Sequence, residues 1–316
     1  MGFLKKLLKN KKASELTEKI MVAAFSVAAS SAVILYLSNV IIESKNADLS
    51  GTLNAAERNK IISEDEGTEG LVYTLDGSRY KITKYIGDEE NVVIPSTHEG
   101  LPVYRIENGA FNSVCDTQHC WTPQVKNVFL GSGIEEIGRL AFEATPLVSI
   151  SVPDSVKRIE ERAFCNCQSL SGFTMPSEIS YIGESAFFQC FALTSVTIPG
   201  TNPTIERYAF SGCHGLTTVN LSEGVTSLSY GIFGACVSLT NINFPSTLTR
   251  IDSEAFFNAF RTYDANVYIP TTVTSIGQYA FSYCIKATLN CQASSKPPGW
   301  SNDWNKQCQC QTNWGV

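Results

Sequence analysis

The chain has 316 residues, of which 43% are hydrophobic and 17% charged, and its net charge is −6. Residues 1–19 carry six lysines and two glutamates, a net charge of +4, whereas the remaining 18 basic and 28 acidic residues give −10. An acidic body of this kind argues against nucleic acid as the partner.

The basic segment, residues 1–19, precedes an uncharged stretch at residues 20–42 that is long enough to span a bilayer as a helix. Lysines before the span predict that the N-terminus stays inside the cell and that the C-terminal domain lies outside. We therefore expect a single-pass protein of the cell membrane. The alternative is a cleaved signal peptide and secretion, with Val27-Ala28-Ala29 as the best cleavage candidate.

Two segments precede the main part of the chain. Residues 43–69 are polar and contain no aromatic residue, which predicts a solvated stalk. From residue 70 the pattern changes to short alternating strands, and Asp76-Gly77 is typical of a hairpin turn. We expect residues 70–107 to cap the first unit of the following domain.

Residues 108–290 repeat one pattern, most clearly from Ile182 to Pro199, which reads Ile-Gly-x-x-Ala-Phe-x-x-Cys-x-x-Leu-x-x-Val-x-Ile-Pro. The Phe of the repeat recurs every 22 or 23 residues, at Phe142, Phe164, Phe187, Phe210, Phe233 and Phe256, with looser copies at Phe111 and Phe281. A fixed period of this length predicts a solenoid. We expect about eight β-rich coils of ~23 residues, followed by a C-terminal cap at residues 291–316.

Each repeat position has a physical role. Val196 and Ile198 alternate with Ser195 and Thr197, which predicts a strand with one buried face. The Ala-Phe pair is expected to point inward. Gly183 is expected to permit a bend after a second, shorter extended piece.

The repeat resembles the BspA-like, type 5 leucine-rich repeats. The resemblance extends to the opening segment, which begins Gly70-Leu-Val-Tyr, and to the closing segment, which begins Lys296-Pro-Pro-Gly-Trp. It implies a leucine-rich-repeat solenoid, exposed at the cell surface, that binds other proteins or matrix. It implies neither catalysis nor a cofactor.

The eleven cysteines fall into groups. Five occupy the Cys position of the repeat, where parallel side-chain directions in neighbouring coils would strain a bridge, and are predicted to be buried free thiols: Cys167, Cys190, Cys213, Cys236 and Cys284. Disulfides are reasonable for the other six in an exported domain, namely Cys115, Cys120, Cys165, Cys291, Cys308 and Cys310. The predicted pairs join Cys115 to Cys120, and Cys291 to Cys308 or Cys310.

Two cysteine–histidine groupings are candidate chemical sites. Cys115, His119 and Cys120 offer three soft ligands, but zinc requires four, so a disulfide loop is the better interpretation. Cys213-His214 places a thiol beside a base, but the repeat predicts that Cys213 points inward. We therefore predict no catalytic residue, no metal site and no cofactor.

The candidate binding surface follows from strand alternation. If Val196 and Ile198 face the core, their neighbours face outward in every coil. The candidates are Phe129, Ser149, Ser151, Thr174, Ser195, Thr197, Thr218, Asn220, Asn241, Asn243, Asn266 and Tyr268. None is charged. They are either an ordinary solvated sheet face, or a docking surface on a concave sheet with Phe129 and Tyr268 as aromatic anchors.

Two classes of function remain. The first is a membrane-anchored extracellular module that binds a protein, matrix or glycan ligand. The second is a structural spacer or self-associating surface component without a dedicated ligand. The sequence does not identify the ligand.

Overall fold

The computed structural model describes residues 67–112, 114–115, 120–121 and 123–316. The predicted basic segment and membrane span, most of the stalk, and His119 lie outside these residues. Within the described ranges, no helix combines the length and the hydropathy needed to cross a bilayer. The described residues form a solenoid of about ten turns with strands on two sides.

One side of the solenoid, called here the front ladder, carries the longer parallel strands. They are β3 (Asn91–Ile94), β8 (Asn127–Leu130), β10 (Ser149–Ser151), β13 (Ser195–Ile198), β15 (Thr218–Leu221), β17 (Asn241–Asn243), β19 (Ala265–Ile269), β21 (Ala287–Cys291) and β22 (Gln311–Trp314). Gly172 adds a bridge to Ser149 between β10 and β13. The turns exceed the predicted eight because β3 and β22, from the two predicted caps, pair in register with the repeats.

The opposite side, the back ladder, begins with a hairpin and one six-residue strand and continues as two-residue strands. It contains β1 (Leu71–Asp76), β2 (Arg79–Tyr85), β5 (Leu101–Ile106), β9 (Glu136–Ile137), β11 (Arg158–Ile159), β12 (Tyr181–Ile182), β14 (Thr204–Ile205), β16 (Ser227–Leu228), β18 (Arg250–Ile251) and β20 (Ser275–Ile276). Two further antiparallel pairs complete the strands: β4 (Thr97–His98) with β5, and β6 (Val114–Cys115) with β7 (Cys120–Trp121). The β1–β2 pairing confirms the predicted Asp76-Gly77 hairpin.

A column of stacked rings runs through the core between the two ladders. The buried Phe of each coil stacks on the next, with ring centroids 5.1 Å apart for both Phe164–Phe187 and Phe187–Phe210. Tyr85 begins the column against Phe111, and Trp304 ends it edge-on against Phe281. Each such ring pair contributes about 0.5–1.5 kcal/mol beyond area burial. The repeat period therefore places like residues in direct contact.

The glycine of the repeat serves a different purpose from the one predicted. Gly183 does not adopt a left-handed conformation. A Cβ at this position would lie 2.4 Å from the Glu161 amide nitrogen of the preceding coil. Close contact between coils, not a bend, therefore requires glycine here. The left-handed residues of this coil are Ser185 and Gln189, which flank the Ala-Phe pair.

Candidate functional site

The front ladder presents the candidate binding residues as two outward columns. In β13 the buried residues Val196 and Ile198 alternate with the exposed residues Ser195 and Thr197, as predicted. Ser151, Thr174, Asn220, Asn241, Asn243, Asn266 and Tyr268 are also exposed, and Ser149 and Thr218 are half-buried. Parallel register aligns Ser195 with Thr218 and Thr197 with Asn220, and it continues to Asn241 and Asn243, so the candidates of β13, β15 and β17 lie in two rows.

Phe129 is not the exposed aromatic anchor that the sequence predicted. It lies on the outward side of β8, since its neighbours Val128 and Leu130 belong to the core, yet it is only 9% exposed. Its register partner on β3 is Val93, which is also buried. Two apolar side chains that lie side by side at this end of the ladder are withdrawn from solvent, so Phe129 offers a partner little surface.

Both ends of the front ladder are hydrogen-bonded within the protein. At the N-terminal end, Asn127 Nδ2 donates to Asn91 Oδ1 at 2.8 Å, and Ser149 Oγ donates to Asn127 Oδ1 at 2.7 Å. At the C-terminal end, Asn313 Nδ2 donates to Asn290 Oδ1 at 2.8 Å, and Gln311 Nε2 donates to Asn313 Oδ1 at 2.9 Å. These polar rows stabilise neighbouring rungs.

The Asn243 side chain is hydrogen-bonded within the protein and is not free to bind a partner. Its Nδ2 donates to the Leu221 carbonyl at 2.9 Å, and its Oδ1 accepts from the Leu221 amide at 3.1 Å. The side chain thus bonds both backbone groups of one residue on the preceding rung. Leaving such groups unsatisfied costs about 1–3 kcal/mol where they are buried.

The middle of the ladder differs from both ends. Of the eight outward side chains in the described strands from β13 to β19, all but Asn243 form no side-chain hydrogen bond: Ser195, Thr197, Thr218, Asn220, Asn241, Asn266 and Tyr268. We call this set the central face. It contains no charge, and its one large ring, Tyr268, is 60% exposed. Its hydroxyl and amide groups are therefore available to a partner, and each lies on a strand that pairs with a neighbouring strand.

Sequence reasoning missed the residues that close the C-terminal end of the ladder. Thr288 and Asn290 of β21 continue the outward columns, and Gln311 and Asn313 of β22 follow them in register. The signal was present, since Gln311-Thr-Asn-Trp alternates like a repeat strand. It was not recognised because this tail lacks the Ala-Phe and Cys-x-x-Leu elements of the unit.

Charged side chains are concentrated on the back ladder. Arg105 pairs there with both Glu107 and Glu136, each at 3.2 Å. Farther along, Arg158 contacts Glu160 at 2.7 Å and lies over the Tyr181 ring, 4.2 Å from its centroid. The two sides of the solenoid are therefore chemically distinct, one charged and internally paired, the other neutral.

The repeat cysteines are free and buried, which confirms that prediction. Each thiol donates to the carbonyl of the Phe one coil earlier, with Sγ–O distances of 3.0–3.3 Å, at Cys167–Phe142, Cys190–Phe164, Cys213–Phe187, Cys236–Phe210 and Cys284–Phe256. Burial raises the pKa of the Cys167 and Cys213 thiols to about 12. They stay protonated near neutral pH and are poor nucleophiles.

The Cys213-His214 pair does not form a reactive centre, and His119 of the other cysteine–histidine grouping lies outside the described residues. Cys213 is fully buried, whereas the adjacent His214 is exposed and stacks on Phe191 with ring centroids 4.8 Å apart. The described residues also include no group of three metal-ligating side chains suited to an ion. Cys115 and Cys120 are register partners in the β6–β7 hairpin, and their disulfide stays a prediction.

The C-terminal disulfide differs from the predicted one. Cys308 bonds to Cys310, and Cys291 is a free thiol. Cys291 follows Leu289 on the inward side of β21, and both are fully buried, so its sulfur lies within the stack. Cys308 and Cys310 lie in the segment that leads into β22, with Cα atoms 5.0 Å apart, within the range that a disulfide requires.

Solved structures similar to the chain are bacterial leucine-rich repeat proteins. A T. pallidum leucine-rich repeat protein is 30% identical with a TM-score of 0.53, covering 58% of this chain and 85% of its own. A leucine-rich cell surface protein of Faecalibacterium prausnitzii A2-165 is 30% identical with a TM-score of 0.50, covering 75% of this chain and 56% of its own. A Bacteroides ovatus leucine-rich repeat protein, 24% identical with a TM-score of 0.53, covers 80% of this chain and 70% of its own, and shares the fold.

No functionally curated protein matches the chain. The family model for the BspA type leucine-rich repeat region matches in six copies, over residues 90–216, 135–263 and 258–296. Together these matches span more than half of the chain and include the whole central face. Neither the family description nor the names of the similar structures mention a catalytic activity. Because the family model matches more than half of its length, the chain belongs to the BspA-type leucine-rich repeat family.

Proposed function

We propose that this protein is a surface-exposed binding module that engages a partner outside the cell through the central face. The uncharged stretch at residues 20–42 would anchor it as a single span, with the solenoid outside, because lysines precede that stretch. The similar F. prausnitzii protein is described as a cell surface protein, which supports this location. The secreted alternative keeps the same face and the same role.

The observation that carries the proposal is the group of unpaired polar side chains in the middle of the front ladder. Asn220, Asn241 and Asn266 are exposed, and each has a free amide donor and a free carbonyl acceptor. At each end of the ladder, by contrast, polar side chains of neighbouring strands hydrogen-bond to one another. The amides in the middle make no such bonds, so they do not stabilise the sheet in this way. Because the strands already hold these side chains in position, the side chains lose little conformational entropy when a partner binds.

The test is capture by the full-length chain, immobilised through its N-terminal segment, from a panel of matrix proteins and polysaccharides. Capture by the native chain, and its loss when the central face is altered, would support the proposal. Undiminished capture after alteration of the central face would contradict it.

The second candidate function is self-association within a surface layer. It rests on β22, the last strand of the front ladder, which in the described residues pairs only with β21. An edge strand with unpaired backbone groups can take up another strand. Sedimentation velocity over a range of concentrations distinguishes the two candidates, since a dedicated binding module stays monomeric and a layer component assembles.

A further inference from the structure

We infer that the ligand of the central face is an uncharged polysaccharide that lies along the solenoid axis. This inference rests on the proposed function and specifies the chemical class of the partner. It draws on three properties of the central face: its charge and apolar content, the exposure of Tyr268, and the spacing of its rungs.

Charge and apolar content separate a glycan from a protein partner. A stable protein interface has a well-packed apolar core, and its binding energy is concentrated in a few clustered Trp, Tyr and Arg residues. From β10 to β22, the outward columns contain one aromatic residue, Tyr268, and no Arg, Met or Leu. An acidic or basic polymer is equally disfavoured, because no outward side chain in these rungs carries the opposite charge.

The polar groups of the central face suit a neutral polyol. Every sugar hydroxyl both donates and accepts a hydrogen bond, and so does each Asn amide and each Thr or Ser hydroxyl of the face. Thr197 and Asn220 lie side by side in one column, and Thr218 and Asn241 in the other. A polyol can exchange its bonds to water for bonds to these groups without desolvating an ion.

Tyr268 supplies the one flat apolar surface of the central face. It is 60% exposed, and its register partner Asn290 on β21 is only 8% exposed and bonded to Asn313. The ring therefore projects beside a fixed amide row. The C–H face of a sugar ring packs on an aromatic ring of this kind, and the phenol remains free to hydrogen-bond the hydroxyls at its edge.

The spacing of the rungs favours a polymer over a single sugar. Neighbouring parallel strands lie about 4.8 Å apart, a distance close to the length of one sugar unit in an extended polysaccharide. The central face spans four rungs: β13, β15 and β17 pair in one sheet, and β19 begins the next sheet. A chain laid along the axis can thus present one sugar to each rung, and weak contacts add along the polymer.

Affinity electrophoresis of the full-length chain in mild detergent tests this inference, with neutral glucans, mannans, xylans and galactans and the acidic polymer hyaluronan as probes. We expect at least one neutral polysaccharide to retard the protein equally at low and high salt, because no ion pair is involved. Oligosaccharides of the retarding polymer should bind more tightly as they lengthen, up to about four units.

The decisive variant is Tyr268→Ala, which should lower the affinity by at least about tenfold. Its control is Tyr263→Ala, which removes a tyrosine of similar exposure, 58%, on the loop before β19 and should leave the affinity unchanged. Circular dichroism must show that both variants keep the fold.

Each result has a defined meaning. The inference is overturned if hyaluronan alone retards the protein. It is also overturned if Tyr268→Ala binds a neutral polysaccharide as tightly as the native chain does. Capture of a matrix protein through the central face without retardation by any neutral polysaccharide also overturns it, but leaves the proposed function standing. Failure to capture either class overturns both.

Discussion

The Cys190 thiol donates a hydrogen bond to the Phe164 carbonyl of the preceding coil, with an Sγ–O distance of 3.2 Å. The same carbonyl accepts the Cys167 amide within its own coil, at 3.1 Å. The repeat cysteine is therefore both a small buried side chain and a polar tie between coils. A purely apolar residue would fill the space without donating this bond.

The first prediction compares the two buried positions of one regular coil. Phe187→Ala should lower the free energy of unfolding by about 3–5 kcal/mol, because it opens a cavity between Phe164 and Phe210. Cys190→Ala should cost about 1–2 kcal/mol, since it removes one small group and one hydrogen bond. Urea unfolding measures both values. Equal losses would show that Cys190 has a stronger partner than the Phe164 carbonyl.

The second prediction concerns alkaline pH. Burial raises the pKa of Cys213 from an ordinary value of 9.0 to about 12. As pH rises, the thiol therefore loses its proton in the unfolded chain before it does so in the folded chain. The contribution of the buried thiol to the free energy of unfolding is complete below pH 9 and is lost as pH rises toward about 12. The difference in unfolding free energy between the native chain and Cys213→Ala should narrow above pH 9. Thermal melts across this range measure it, and a gap independent of pH would contradict the burial of the thiol.

The third prediction concerns the left-handed residues. Ala235 has a φ of 55°, so Ala235→Gly should raise stability by up to about 1 kcal/mol through relief of backbone strain. The matched control is Gly212→Ala one coil earlier. It should destabilise the protein, since φ is 73° and the new Cβ would lie 3.0 Å from Gln189 Cγ. Destabilisation by both changes, measured in urea, would argue against strain at Ala235.

The fourth prediction places the ligand on the front ladder. Thr197→Lys with Asn220→Lys should abolish capture, because two ammonium groups would occupy a neutral surface. Asn243 is left intact, since its bonds to Leu221 would be lost with it. Thr204→Lys with Ser227→Lys adds the same charge to exposed positions of the back ladder and should preserve capture. The reverse result would move the site to the charged back ladder around Arg158.

The fifth prediction concerns membrane topology. If residues 20–42 form an anchor with the solenoid outside, protease added to intact cells should remove the body and leave a small membrane-bound stub. Immunoblots with antibodies to the N-terminal segment and to the solenoid would follow both parts. Recovery of the body from the culture medium, beginning near Ser30, would instead show cleavage of a signal peptide.

The sequence by itself determined the coil, its period and the direction of its side chains. A strict repeat forces Phe onto Phe and Cys onto Cys, so the inward and outward residues of β13 could be identified from alternation alone. The hairpin at Asp76-Gly77 followed from local turn chemistry. These features depend on neighbouring residues in the chain or on the repeat, and both are visible in one dimension.

Only the tertiary structure separated the residues that look alike in the repeat. Asn220 and Asn243 hold the same position in adjacent coils, yet Asn243 bonds to the Leu221 backbone and Asn220 is unpaired. Gly183 is required by the approach of Glu161 in another coil, and Cys308 bonds to Cys310 while Cys291 stays a buried free thiol. Each of these outcomes depends on contacts across coils, where side-chain geometry and not residue type decides which groups meet.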